Sequence, residues 1–441
     1  MTEFNHPITS DDIDQMQADL EVQPKNEVIS RAIMTNGIDK ASEDPRTAVR
    51  LNRTFSVDLE TGTVSNQKHS GRCWLFSLLN TLRHKFAVKY NKKDFELSQN
   101  YLFFWDKIER ANMFYDRMIT LADRPTSDRD VDFYLSMPGE DGGQWAMAAA
   151  LVQKYGVIPK EAFPETAVTD DTTDYDEVMD RKLRHDGMVL RNLVNSDASD
   201  YDINQMKQKM MSEVYRMTAY SFGVPPKTFD LEYRDDDKKY HLDQGLTPKQ
   251  FYDKYIGVDL NDYVVLTNSP DKKMDEMYSL PSQNNVEGGM PIEFLNAPMD
   301  ELKEAAIKQL KDGETVWFGN DVLHQMNRQK GYLDSKLYRQ AALFGVDMTM
   351  TKAERLEYHE AEVSHAMTLT GVDLINDVPT KWKVENSWGK KVGDDGYFAM
   401  TDEWIQDFVY EVVVKKSYLK HTQKEVLKKT PIKLDPWDSL Q

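Results

Sequence analysis

Residues 66–76 read Asn-Gln-Lys-His-Ser-Gly-Arg-Cys-Trp-Leu-Phe, a tight-turn sequence that feeds straight into an apolar helix pattern. The only cysteine of the chain, Cys73, stands at that junction. Leu75, Leu78, Leu79, Leu82 and Phe86 recur at the spacing of one helix face, so the spacing predicts a helix beginning at or near Cys73. A lone cysteine forms neither an internal disulfide nor a multi-cysteine metal site. At a helix N-terminus the macrodipole and the free backbone N–H groups favour thiolate over thiol. Read alone, the same residue also fits a small buried hydrophobe.

A thiolate nucleophile needs a base within reach and a third group to orient that base. The far end of the chain supplies both residue types. His365 opens an apolar, β-branched run (His365 to Val372) with the look of a buried strand. Asn386 closes a short alternating strand carrying Trp382 and Val384, just ahead of a glycine-containing loop. The two are 386 − 365 = 21 positions apart, which allows them to meet on neighbouring strands. Taken singly, His365 also fits a structural histidine and Asn386 a turn residue.

The combination resembles the papain-like cysteine peptidases. Gln67 precedes Cys73-Trp74 by six residues, and His365-Ala366 and Asn386-Ser387-Trp388-Gly389 follow in the family's chain order. Within that superfamily the chain is most similar to the bleomycin hydrolase and bacterial aminopeptidase C branch. Gln67 to Phe76, Asp141-Gly142-Gly143-Gln144-Trp145, Val316-Trp317-Phe318-Gly319, Ser364 to Thr368 and Gly396 to Trp404 carry that likeness along nearly the whole chain. The resemblance implies an α+β, papain-like fold, with a helical left subdomain, a β-barrel-like right subdomain, and large helical and hairpin insertions. It implies Cys73 as nucleophile, His365 as acid and base, Asn386 as orienter and Gln67 as oxyanion donor. The thiolate–imidazolium pair would already exist at rest. Gly142 and Gly143 would run beside the substrate backbone, Trp388 would shield the His–Asn hydrogen bond beside the substrate, and Gln441 would reach the cleft from the tail. A Cys-His-Asp acyltransferase would need an aspartate where Asn386 stands.

The nucleophile and base lie 365 − 73 = 292 residues apart, against roughly 130–150 in papain. The surplus reads as inserted structure. We divide the chain into residues 1–164 (N-terminal arm and left subdomain), 165–297 (inserted helical and hairpin or arm region) and 298–441 (right β subdomain with His365, Asn386 and the tail). Asp300 to Lys311 is an amphipathic helix stopped by Gly313, followed by a strand over Thr315 to Phe318. In the related branch such insertions build a hexameric ring, so a homohexamer is implied by resemblance alone.

The activity implied is release of N-terminal residues from peptides. In aminopeptidase members of the branch the tail reaches back into the cleft, and those tails run Trp-Asp-Pro-Met-Gly-Ala-Leu. Here the tail reads Pro436-Trp437-Asp438-Ser439-Leu440-Gln441 and departs after Trp-Asp. At about 3.3 Å per extended residue, the two residues fewer after Trp-Asp retract its end by about 7 Å. That leaves oligopeptide endopeptidase action as the alternative, and an inactive ring-forming peptide-binding scaffold as a remote one.

Composition narrows the partners. Lys and Arg number 55 against 74 Asp and Glu, a formal net charge of −19 that argues against nucleic acid. No stretch approaches the roughly 18 apolar residues of a membrane span. Met1 to Pro7 shows no basic-then-apolar export pattern, and with one cysteine a reducing cytoplasm is the expected home. No metal or cofactor is implied: His359-Glu360-Ala361-Glu362-Val363 lacks the second histidine of a zinc helix. The acidic stretches Asp170 to Asp176 and Asp235 to Asp237 read as exposed loops.

Overall fold

The computed structural model describes residues 7–441, so Met1 to His6 of the stretch read for an export signal lie outside the described residues. The Ser70–Gly71–Arg72 turn leads into helix Cys73–Tyr90, as the spacing predicts. Its periodic residues Leu75, Leu78, Leu79, Leu82 and Phe86 are all buried, each worth about 1.5–3 kcal/mol against exposure. Helices Gln99–Thr120 and Trp145–Tyr155 pack on one side of it. Strand His365–Ile375 packs on the other, where the Ser77 hydroxyl donates to the Met367 carbonyl at 2.7 Å. The layers are therefore helical on one side of the central helix and β on the other.

The β side is a mixed sheet of twelve strands among the described residues. At its middle, Val409–Lys415 pairs with Val316–Asn320, which pairs with His365–Ile375, which pairs in turn with Val378–Glu385, all antiparallel. Helix Met299–Lys311 covers this sheet through Leu302, Ala306 and Leu310 and ends just before Gly313. The architecture is the papain-like α+β fold.

The inserted segment packs against the rest of the chain. Helices Thr173–Asn195 and Asp200–Phe222 lay Met179, Leu183, Leu190, Val214 and Phe222 into the same apolar core as the central helix. The β runs expected to form arms or hairpins, Tyr263–Thr267, Glu276–Ser279 and Glu293–Asn296, enter the main sheet instead. Val265, Leu266, Phe294 and Leu295 bury there, and runs this short do not encode which sheet they join. The separate two-stranded hairpin is Phe229–Arg234 with Tyr240–Leu246. No helix among the described residues is long and apolar enough to cross a membrane.

The acidic stretches are not all exposed loops. Asp176 opens helix Thr173–Asn195 and pairs with the buried Lys107 at 2.7 Å. Asp235 is largely buried, accepting from the Lys239 backbone and bonded to the His241 ring. Lys107 is the larger surprise, at 2% exposed. Its ammonium donates to Asp141 at 2.7 Å, Asp176 at 2.7 Å and the Gly139 carbonyl at 2.6 Å. Lys107→Met strands Asp141 as a buried unpaired charge, which costs about 3–5 kcal/mol. A clearly lower unfolding temperature is expected; an unfolding temperature equal to the parent's would remove Lys107 from this role.

Candidate active site

Asp141 ties the two walls of the site together. Its carboxylate accepts from the Gly71 backbone N–H at 3.0 Å and from the Thr172 hydroxyl. Its own carbonyl accepts from the Trp74 indole N–H at 2.8 Å. Burial opposes ionisation of Asp141, but the Lys107 charge and the surrounding hydrogen bonds outweigh it and hold the carboxyl well below the usual carboxylate range. Neighbouring Asp176 is pushed up to about 7, chiefly by burial and then by the Asp141 charge, against the pull of Lys107. A Cβ at Gly71 would stand 2.7 Å from the Asp141 Cβ, so the turn before Cys73 admits only glycine at this approach.

Cys73 is the first residue of its helix and is half-buried, facing a cavity of about 310 Å³. Gln67, Gly142, Gly143, His365 and Gln441 line the same cavity. The strand register does the bringing together, since His365 opens its strand opposite Asn320 and Asn386 directly follows the adjacent strand. The His365 Nε2 lies 2.9 Å from Asn386 Oδ1. That oxygen also accepts from the Ser387 backbone N–H at 2.7 Å, which fixes the amide's orientation. Nε2 must then carry the ring proton, and Nδ1 is left as the basic nitrogen. Trp388 lies over the imidazole, with centroids 4.9 Å apart.

Gln67 belongs to the same network. Its backbone N–H donates to the Ser387 carbonyl at 2.7 Å and its side-chain oxygen accepts from the Ser387 hydroxyl. Its side-chain nitrogen donates to the Ser70 carbonyl at 2.6 Å, which uses one of two protons and leaves the other for a ligand. Gly143 is required by packing, because a Cβ there would stand 2.7 Å from the Trp74 ring. A Cβ at Gly142 would meet nothing, so this residue presents bare backbone to open space. Helix Trp145–Tyr155 has Gln144 as its N-cap.

Burial pushes the Cys73 thiol up to about 11, against hydrogen bonds from the Ala366, Trp74 and Cys73 backbone N–H groups. Burial likewise pushes His365 down to about 4, against the Asn386 hydrogen bond, with the Arg328 charge acting in the same direction as burial. Burial thus works against a thiolate–imidazolium pair in the empty cleft, and the backbone N–H groups at the start of the helix work for it.

Several residues of the site were not found in the sequence. Arg110 donates to the Gly142 carbonyl and to Asp106, and so holds the glycine wall in place. Arg328 lies over the Trp388 ring at 4.6 Å. The tail is fastened rather than withdrawn. Lys272 pairs with Asp438 at 3.0 Å, Arg129 stacks on Trp437 at 3.6 Å, and Gln144 donates to the Leu440 carbonyl at 2.8 Å. Leu440 is fully buried, and Gln441 stands on the cavity wall. Only the Trp-Asp pair hinted at this, because the anchoring partners lie more than a hundred residues upstream.

A papain-like fold with a cysteine, a histidine held by an asparagine, and a glutamine on one cavity defines the class, and residues 7–441 match the model of the Peptidase C1-like family. The chain belongs to that family. It is 54% identical to aminopeptidase E of Lactobacillus helveticus, over 99% of both chains. It is 52% identical to aminopeptidase G of Lactobacillus delbrueckii subsp. lactis, over 99% of this chain and all of the relative. The crystal structure of pepw from Lactobacillus rhamnosis superposes with a TM-score of 0.97 at 49% identity, covering 98% of each chain.

Two measurements probe this geometry. With the thiol pKa raised, thiolate is scarce at neutral pH, so alkylation of Cys73 by iodoacetamide should climb steadily from pH 6 to pH 9. A rate flat down to pH 5 would mean a resting ion pair. Asn386→Ala should lower kcat about tenfold or more while changing KM little, because it frees the imidazole rather than the substrate. An unchanged kcat would refute the orienting role.

Proposed function

We propose that the protein is a cysteine aminopeptidase in which Cys73, His365, Asn386 and Gln67 carry out the chemistry. The observation that carries this reading is the cavity shared by Cys73, Gln67 and His365, with the imidazole oriented by Asn386. His365 Nδ1 takes the Cys73 proton as the sulfur adds to the scissile carbonyl. The second Gln67 side-chain proton and the Cys73 backbone N–H receive the oxyanion, and losing one such donor costs about 3 kcal/mol. The imidazolium then protonates the leaving amine, giving a thioester on Cys73. Water, deprotonated by the same His365, hydrolyses that thioester and returns the thiol. Gly142 and Gly143 accompany the substrate backbone, and Trp388 keeps water from the His365–Asn386 bond.

The fastened tail, with Gln441 on the cavity wall, supports removal of terminal residues over internal cutting. Self-association into a ring, with the hexamer as the expected form, is supported by helix Ser10–Glu21, which buries no residue and exposes Ile13, Met16 and Leu20. A reducing, cytoplasmic setting suits an unprotected thiol.

The test is one peptide in two forms, with a free and with an acetylated N-terminus. Stepwise loss of N-terminal residues from the free form only, abolished in a folded Cys73→Ala variant, is the expected result. Internal cuts in the acetylated form would replace this reading with the oligopeptide endopeptidase. Activity surviving in the alanine variant would end the assignment of Cys73.

A further inference from the structure

Asn386 aims the catalytic imidazole, yet its amide is held from one side only. Its Oδ1 meets His365 and the Ser387 backbone N–H, while its Nδ2 is buried with no hydrogen-bond partner among the described residues. The aim of the amide therefore depends on where the backbone of residue 386 is put. The residue immediately before it, Glu385, ends strand Val378–Glu385 and is 1% exposed. Its carboxylate meets Arg83, which stands 83 − 73 = 10 residues along the helix that begins at Cys73. At 1.5 Å per residue that contact is about 15 Å from the nucleophile, outside the cleft.

Arg83 is itself 3% exposed and joins three segments. It belongs to the central helix, its Nη2 donates to Glu385 Oε1, and its Nη1 donates to the Thr63 carbonyl at 3.0 Å. Thr63 lies 67 − 63 = 4 residues before Gln67. One guanidinium thus touches the segments that carry Cys73, Gln67 and Asn386. Glu385 is also opposite Thr368, whose hydroxyl lies 3.0 Å from the Ser77 hydroxyl. The central helix therefore holds the His365 strand through Ser77 and the Asn386 strand through Arg83. Stability alone does not account for the ion pair. Burial raises the Glu385 carboxyl, and the Arg83 charge is the first influence against it. Arg83 Nε is buried with no hydrogen-bond partner among the described residues. A buried ion pair is often replaceable by apolar side chains at no loss of stability. What a planar fork on two acceptors adds is fixed geometry.

We propose that Arg83 is a positioning residue for the reaction: by holding Glu385 and the Thr63 carbonyl on one guanidinium, it sets the Asn386 amide, and through it the His365 imidazole, against the helix that starts at Cys73. It touches neither substrate nor reacting atoms. Glu385 is the direct chain neighbour of Asn386, so a displacement of the one reaches the other almost undiminished. The inference rests on the peptidase reading above.

The experiment compares the parent with Arg83→Met, with the double variant Arg83→Met/Glu385→Leu and with Arg83→Lys, each with and without Asn386→Ala. Unfolding temperature is measured, with kcat and KM on one peptide with a free N-terminus. Arg83→Met leaves Glu385 unpaired and should lower the unfolding temperature. The double variant removes both charges and should regain most of it, yet keep kcat about tenfold or more below the parent with KM little changed. In the Asn386→Ala background the same two substitutions should lower kcat no further, because the group they misplace is already gone. A folded double variant with parental kcat overturns the proposal, as does a loss that multiplies with that of Asn386→Ala. Should the double variant not fold, Arg83→Lys takes its place: it keeps a charge beside Glu385 without the fork that spans to Thr63, and a parental kcat there overturns the proposal. A second readout needs no turnover. The His365 Nε2 proton, bonded to Asn386, should exchange slowly with water by NMR in the parent and faster in the folded variant. Equal exchange in both overturns the inference, and since no peptide is cut in this measurement, its outcome is separate from that of the peptidase reading.

Discussion

One buried carboxylate organises the cleft. Asp141 accepts from Lys107, from Thr172 and from the backbone of Gly71, while its carbonyl accepts from the Trp74 indole. The turn that delivers Cys73, the helix that carries it and the Gly142–Gly143 wall opposite all end on this residue. Buried charge is tolerable here because three donors reach the carboxylate and one of them is a full cation in contact. The position of the nucleophile relative to its wall is therefore set by electrostatics in a dry place, where geometry is strict, rather than by a mobile loop.

The other half of the site is set by register. The 292 residues between Cys73 and His365 impose no separation, because the strand beginning at His365 lies along the central helix through Ser77, Met367 and Thr368. Asn386 then arrives by pairing of adjacent strands, and the Ser387 contacts couple it back to Gln67. Gln67 and Asn386 are thus one hydrogen-bonded unit. A shift of one residue in the pairing would turn both side chains to the wrong face. The bulge between Leu369 and Gly371 lies beyond the catalytic end of the strand and does not disturb it.

This division explains what the sequence could tell. The helix from Cys73 and the strand from His365 were legible because local apolar periodicity encodes them, and Gln67 and Asn386 because a local motif surrounds each. Lys107 was not legible: a lysine in a helix reads as solvent-facing, and only the fold supplies the aspartates that let it bury. Asp176 was misjudged for the same reason. Arg110, Arg328 and the tail's partner Lys272 act through residues distant in the chain, and no short pattern announces them. The burial that opposes a Cys73 thiolate was not legible either. Helix position is local and readable, whereas desolvation depends on everything that closes over the sulfur.

Asp141 and Glu411 show two ways in which a carboxyl is buried in this molecule. Both carboxyls are largely withdrawn from water, Glu411 on the cavity wall and Asp141 behind it. One is surrounded by donors and held ionised, so it adds rigidity and has no capacity left for a ligand. The other has no donor, so burial favours its proton, and its acceptor capacity is intact. A chain selected for stability alone would place an apolar residue at position 411, where strand neighbours Val412, Val413 and Val414 are already apolar.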